Sequence, residues 1–328
     1  MGIISIAGNL AQAEKNSGAA YARLVLSEAT IPLRQLEAAD FPDKGDDQSG
    51  LSTSVWVWPS DLPRAGHKAN SIRARAALLR YKVQSGFPSR VYSAIRERAF
   101  YALAGRAQFV LEERKYEADP GGMVFVPSNV RHSCQVVGGE RLKMLLMEWR
   151  GELKPMPKVR KMTIGSEKAK PMRVLTLEEA GGHRGISASP FITSKDYPRF
   201  SHQANSHLAW ISLQQYAPNP SQANTDVHSH AESEQAFFII SGKARFIIGD
   251  TEQDVGPGEF VYAPRHVKHG YRVSGEEPVK WFMMGWSSEW QISDQAPFAK
   301  RTVLGPSNAA RPHRSLAAQA ANTLQFKF

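Results

Sequence analysis

From Thr53 onward the chain runs in short segments of alternating apolar and polar residues, such as Ser54 to Trp58 and Ala77 to Val83, broken by Gly and Pro. Alternation with period two bounded by turn residues predicts strands. Residues 98 to 132 then align without a gap onto residues 235 to 269 at an offset of 137. Phe100 falls on Phe237, Gly105 on Gly242, Phe109 on Phe246, Gly121 on Gly258, Pro127 on Pro264 and His132 on His269, and the register still holds where Trp149 meets Trp286. A repeat of this length, built from short strands and Gly/Pro turns, predicts an all-β chain of two tandem double-sheet jelly-roll barrels.

The pattern changes outside the two copies. An Ala- and Leu-rich stretch from about Leu10 to Glu28 predicts a helix, and Asp40 to Gly50 reads as a loop. The expected organisation is an N-terminal helical arm and loop over 1–50, a first barrel over 51–150, a linker with entry strands over 151–200, a second barrel over 201–290 and a tail over 291–328. Thr176 to Ala180, with Glu179 three residues after the Thr, fits a capped helical turn, and Ser315 to Leu324 fits a short helix.

Within the second copy, His228 and His230 are separated by one residue, so on an extended strand both imidazoles leave the same face and can grip one ion. His269 supplies a third imidazole beyond a Gly- and Pro-containing turn. Neutral imidazole is the commonest side-chain donor to transition metals. At the same offset Val91, Ser93 and Arg98 stand opposite His228, His230 and Gln235, so the first copy keeps a final histidine, His132, without the other donors and is expected to bind no metal.

These spacings resemble the cupin superfamily, in a two-barrel form. Its first motif runs Gly, five residues, His-x-His, three or four residues, Glu, six residues, Gly. Its second runs Gly, five residues, Pro-x-Gly, two residues, His, three residues, Asn. The resemblance implies His228, His230 and His269 as ligands and places Gln235 where the family has its Glu. Gln222 stands in place of the opening Gly, His266 in place of the turn Gly and Val273 in place of the Asn. An amide oxygen brings a dipole where a carboxylate brings a charge, so the donor set is three neutral histidines plus a weak fourth ligand. Glu234 is the alternative to Gln235, although a one-residue shift on a strand turns the side chain to the opposite face. His266 tolerates the left-handed backbone of the turn better than most residues.

One divalent transition metal per chain is therefore expected, Fe(II) favoured, with Mn(II) or Zn(II) possible. The resemblance implies a dioxygenase of a small chelating aromatic or dicarbonyl substrate, or, as in bicupin ureidoglycine aminohydrolases, a Mn- or Zn-dependent hydrolase, isomerase or lyase. A non-enzymatic small-molecule-binding bicupin, as among seed-storage globulins and sensors, is the third reading. Strand parity puts Leu208, Trp210, Ser212, Gln214 and Tyr216 on one face, and Phe237 shares parity with Gln235. Trp210, Gln214, Phe237 and Trp281 are the candidate substrate wall, with Arg245 the candidate partner of a substrate carboxylate.

Composition narrows the rest. The 328 residues carry a net charge of +10, with a pI near 9.7, but the lysines and arginines are dispersed and no nucleic-acid-reading element accompanies them. The charge favours a small anionic substrate over nucleic acid. No apolar run of membrane-spanning length occurs, and the single cysteine, Cys134, fits a reducing compartment, so a cytoplasmic chain, expected to form a homo-oligomer, follows.

Overall fold

The structure, a computed structural model, describes residues 25–27, 34–35, 51–59, 69–71, 74–90, 96–150, 164–166, 172–174, 186–194, 204–206, 209–218, 227–287 and 302–303. Every regular element among them is a strand. Before and within the first barrel come β1 (Val25–Ser27), β2 (Arg34–Gln35), β3 (Leu51–Pro59), β4 (Ala69–Ser71), β5 (Ala74–Tyr81) and β6 (Gly86–Arg90). They are followed by β7 (Arg96–Ala104), β8 (Arg106–Leu111), β9 (Arg114–Ala118), β10 (Gly122–Val126), β11 (His132–Val137) and β12 (Leu142–Arg150). The linker carries β13 (Ile164–Ser166), and the second barrel opens with β14 (Arg173–Val174), β15 (Ile186–Ser194), β16 (Ala204–Ser206) and β17 (Ala209–Tyr216). It continues with β18 (His228–Ser229), β19 (Ser233–Ser241), β20 (Ala244–Ile248), β21 (Thr251–Val255), β22 (Glu259–Ala263), β23 (His269–Val273) and β24 (Val279–Ser287), and β25 (Thr302–Val303) ends the series.

The strands form two large and two small sheets. One large sheet has the order β13-β10-β7-β12-β5-β3-β2 and the other the order β1-β22-β19-β24-β17-β15-β14. The small sheets are β6-β11-β8-β9 and β21-β20-β23-β18-β25. Position by position the second pair repeats the first, as the internal repeat predicts. Two elements cross over: β1, which precedes the first barrel, pairs with β22 of the second, and β13, which precedes the second, pairs with β10 of the first. The expected helix from Leu10 to Glu28 is corrected at its end, where Val25–Ser27 is a strand satisfied by a sheet edge. The rest of that helix, the turn at Thr176 and the helix at Ser315 lie outside the described residues.

Alternation on the large sheets decides what each face buries. In the first barrel Ala77, Leu79, Phe100, Val124 and Leu146 point inward onto Phe87 and Phe109, while Ala76, Leu78, Tyr101, Phe125 and Met147 point outward. That outward face is covered by the second barrel. Tyr101 stacks on Phe282 at 4.6 Å between ring centroids, and Trp56 packs on Phe260 at 5.0 Å and on Phe238 at 5.8 Å. The large sheets thus lie back to back, and the small sheets close each barrel on its far side. Two tight turns repeat as well, Gly105 with φ 71° and Gly242 with φ 73°; a Cβ on either would sit 2.4 Å from the facing carbonyl oxygen, of Arg141 and Pro278 respectively.

Polar groups pin the seam reciprocally. Ser71 of the first barrel donates its hydroxyl to Glu234 of the second, and Ser206 of the second donates to Glu97 of the first. Each serine also accepts an amide three residues on, Ala74 N–H at 2.9 Å and Ala209 N–H at 3.1 Å. Each carboxylate is further held by an indole, Trp149 for Glu97 and Trp286 for Glu234. Both carboxylates are buried, so losing a donor leaves a charge poorly solvated. Ser71→Ala and Ser206→Ala are each expected to lower unfolding free energy by about 1.5–3 kcal/mol, the range for hydrogen bonds to charged groups, read by urea denaturation. A loss within 0.5 kcal/mol for both would mean that the seam rests on its apolar contacts alone (about the ordinary effect of a surface substitution).

Candidate metal centre

The antiparallel pairing of β18 with β23 sets His228 directly across from His269. His230 follows two residues on, and its backbone carbonyl accepts the His266 amide at 2.8 Å, which ties the His-x-His segment to the turn before β23. His266 holds that turn with φ 60°, the left-handed conformation expected of it. The three rings converge, with centroids 4.6 Å apart for His228 and His269, 4.9 Å for His228 and His230 and 5.2 Å for His230 and His269. All three are buried, and one potential ligand atom from each lies within 4.8 Å of the others.

The donor chemistry fits a cation. Nδ1 of His269 lies 3.0 Å from the Val267 carbonyl oxygen, which assigns its proton to that nitrogen and leaves the lone pair on Nε2. Gln235 Oε1 approaches the same Nε2 at 3.2 Å. Two electron-pair donors facing each other in a buried space are satisfied by a shared positive charge.

Adjacent residues on β19 part company here. Gln235 faces the imidazoles, whereas Glu234 faces the seam, where Tyr262 donates its hydroxyl to it at 2.6 Å alongside the Ser71 and Trp286 donors. Burial, followed by the Glu234 charge, pushes the Tyr262 hydroxyl well above its ordinary pKa, so it stays a donor. Glu234 is therefore committed to the junction between the barrels.

The barrel interior below the imidazoles is layered. Trp210, Gly285 and Gln235 occupy one cross-strand row, and a Cβ on Gly285 would stand 2.0 Å from the Trp210 ring, so the indole lies across the space that the glycine leaves. The next inward row holds Ser212, Met283 and Phe237, and the row beyond it Gln214, Trp281 and Ile239. Two rows amount to roughly 13 Å along the strands. Of the expected wall, Trp210 and Phe237 lie beside or just below the imidazoles. Gln214 and Trp281 do not: Trp281 is boxed by Tyr216 at 4.6 Å and Tyr271 at 4.7 Å, and its indole donates to Gln214 at 3.1 Å. Ser212 and Met283 stand in the row just below the imidazoles instead, and strand parity already put Ser212 on this face. Arg245 is corrected as well. It lies outside the barrel on β20, where its guanidinium meets Asp254 twice, at 2.7 and 2.6 Å, and that pairing raises its pKa.

The equivalent place in the first barrel is differently furnished. The strand register sets Arg90, not Val91, across from His132, in a pairing whose register is irregular between His132 and Cys134. His132 repeats the His269 arrangement, with Nδ1 2.8 Å from the Val130 carbonyl. Its Nε2 meets Arg98 Nη1 at 3.4 Å, and Arg98 Nε donates to Glu148 at 2.6 Å. Arg98 occupies the position of Gln235 and Glu148 that of Gly285. A guanidinium stands where the second barrel gathers donors for an ion. Burial, helped by the Arg98 charge, pushes the His132 pKa down to about 4. For Glu148 burial acts upward, but the charges of Arg98, Arg75 and Arg96 prevail and hold it at about 2. Among the described residues no helix is long and apolar enough to cross a membrane.

Residues 213–285 match the family described as Cupin domain, and residues 100–153 match the AraC-like ligand binding domain. No curated protein matches the chain. Among solved structures, the putative glyoxylate induced protein from Pseudomonas aeruginosa superposes with a TM-score of 0.60 at 12% identity, covering 81% of this chain and 90% of that one. The protein Ylba from E. coli gives 0.54 at 10% identity, over 80% and 89%. A mutant of Bacillus subtilis oxalate decarboxylase gives 0.51 at 13% identity, over 80% and 76%. At such identities the likeness is one of fold.

The first-barrel pair makes stability depend on acid. Both groups hold fewer protons folded than unfolded, so stability rises with pH across their windows. The His132 contribution, on the order of 3 kcal/mol, is expected to disappear as pH falls from about 6.5 to about 4, and that of Glu148 as pH falls from the ordinary carboxylate range to about 2. His132→Gln keeps an acceptor for Arg98 and should flatten the upper window while leaving the lower one, as followed by urea unfolding at stepped pH. An unchanged profile would place the acid sensitivity elsewhere.

Proposed function

The chain belongs to the cupin superfamily, in its two-barrel form, and on that premise we propose that it is a metal-dependent enzyme whose second barrel holds one divalent transition ion. His228, His230 and His269 would be the ligands, with Gln235 the fourth donor. The observation that carries this reading is the convergence of three buried imidazoles, with the Nε2 lone pair of His269 and the Gln235 amide oxygen turned toward one another.

Such an ion, when bound, supplies Lewis acidity and open coordination positions, and as Fe(II) it also supports reaction with dioxygen. The protein's part follows from its residues. Because all four donors are neutral, the site keeps its positive charge and favours an anionic chelating substrate. The Val267 carbonyl fixes the tautomer and aim of His269. Trp210, Phe237 and Met283 form an apolar wall that excludes water and suits a flat substrate, and Ser212 offers a hydroxyl within it. On these grounds the reaction proposed is an Fe(II)-dependent dioxygenation of a small aromatic or dicarbonyl compound. A second reading, Lewis-acid lyase or hydrolase chemistry with Mn(II) or Zn(II), draws support from the two-barrel oxalate decarboxylase among the structural relatives.

Untagged protein is expected to purify with one equivalent of metal by mass spectrometry, and the His228→Ala, His230→Ala double variant with none. Gln235→Ala should weaken metal affinity by about tenfold or more, the scale of a lost metal-site contact, while Glu234→Ala should keep the metal and lose stability at the seam. The reverse ranking would move the fourth donor to Glu234. Protein loaded anaerobically with Fe(II) should then consume oxygen on addition of a catechol, a hydroxybenzoate or a 1,3-dicarbonyl. A protein that carries Mn(II) or Zn(II), takes up no oxygen and releases a cleaved or rearranged product refutes the dioxygenase and establishes the Lewis-acid reading.

A further inference from the structure

Strand β18 carries the first imidazole of the His-x-His pair and is only two residues long. A strand that short makes few ladder bonds, so the chain on each of its edges decides how firmly its side chains are aimed. On one edge it pairs with β23 at a single position, His228 with His269. On the other it pairs antiparallel with β25 at two positions, His228 with Val303 and Ser229 with Thr302. The C-terminal strand thus supplies two of the three cross-strand positions of β18 among the described residues, one coming from β23 and two from β25. β25 follows β24 in sequence, yet in the small sheet it lies outermost, directly against the strand of His228. His230 has a separate tie, the 2.8 Å bond from the His266 amide to its carbonyl.

A strand paired on both edges keeps its backbone angles, and with them the direction in which each Cβ leaves the chain. The donor set needs that precision. The His228 ring lies 4.6 Å from that of His269 and 4.9 Å from that of His230 between centroids, so a pivot of the β18 backbone parts the donors. We propose that β25 is a C-terminal strap that aims His228, so that the hold of the second barrel on its ion depends on the backbone of Thr302 and Val303. This rests on the metal reading of the second barrel given above. β25 is a positioning element, acting on the site through β18. A two-residue strand opens at far lower cost than the central strands of the barrel, so release of the strap loosens the ion while the barrel stays folded.

The test uses the full chain, stripped of metal by chelator dialysis, and a Thr302→Pro, Val303→Pro variant, because proline lacks the amide hydrogen that a ladder needs. Zn(II) affinity, read by competition with a chromophoric chelator, is expected to fall by about tenfold or more, the scale of a lost orienting contact. Amide hydrogen exchange in the metal-free protein should accelerate over residues 228–229. The matched control is Arg173→Pro, Val174→Pro, in β14, another two-residue strand, at the end of the large sheet of the same barrel. It should leave both readings as in the unaltered chain, and circular dichroism confirms that both variants are folded. Unchanged Zn(II) affinity in the Thr302→Pro, Val303→Pro variant, or an equal loss in the β14 variant, would overturn the strap and leave the metal reading standing. An unaltered chain that binds no Zn(II) would refute the metal reading, and the strap's role in holding an ion with it.

Discussion

Glu97 and Glu234 are buried carboxylates at the seam between the barrels, each held by a serine from the opposite barrel and an indole from its own. Taking a carboxylate out of water costs several kcal/mol unless its oxygens are satisfied. The donors that these two receive come from both halves of the chain, so neither barrel can leave its neighbour without stranding a charge. The aromatic packing of Tyr101 on Phe282 and Trp56 on Phe260 adds apolar burial across the seam, alongside the serine contacts. The crossed strands β1 and β13 bind each barrel to chain that precedes the other.

The seam also determines what the second barrel can offer a metal. Alternation along β19 sends Gln235 inward and Glu234 outward, and the outward residue is already taken by Ser71, Tyr262 and Trp286. A site able to draw on Glu234 would have to give up the junction. The neutral donor set is therefore coupled to the architecture, and the positive charge it would leave on a bound ion follows from how the barrels are joined.

Much of this was legible in the sequence because period-two patterning and a gapless repeat are strong signals. The offset of 137 placed Gly105 with Gly242 and His132 with His269, and His228-x-His230 on a strand required convergence. Parity also separated Phe237 from Phe238. What parity lacks is depth, which is why Trp281 and Gln214 shared the right face yet lie two rows from the imidazoles. It also says nothing of cross-strand partners, so Arg245, opposite Asp254 on an outer strand, could not be told from an inward-facing arginine. The Ser71 and Ser206 contacts had a signal, the tripeptide Ala-Asn-Ser at 69–71 and again at 204–206, but it sits in the part of the repeat where the offset is two residues shorter. The gapless offset also set Val91 opposite His228, where the register puts Arg90, one residue away.

The two barrels solve one problem in two ways. Each ends with a histidine whose Nδ1 is tied to a backbone carbonyl two residues earlier, so each presents an Nε2 lone pair to a buried space. That lone pair calls for a positive partner. In the first barrel Arg98 supplies it from within the chain, and Glu148 on the next strand steadies the guanidinium. In the second, the corresponding positions are Gln235 and Gly285, which contribute no charge and leave room for the Trp210 ring. With no internal cation beside them among the described residues, the three imidazoles could be completed by an ion from solution. Replacing an arginine and a glutamate by a glutamine and a glycine thus exchanges a closed internal ion pair for an open coordination site on the same frame.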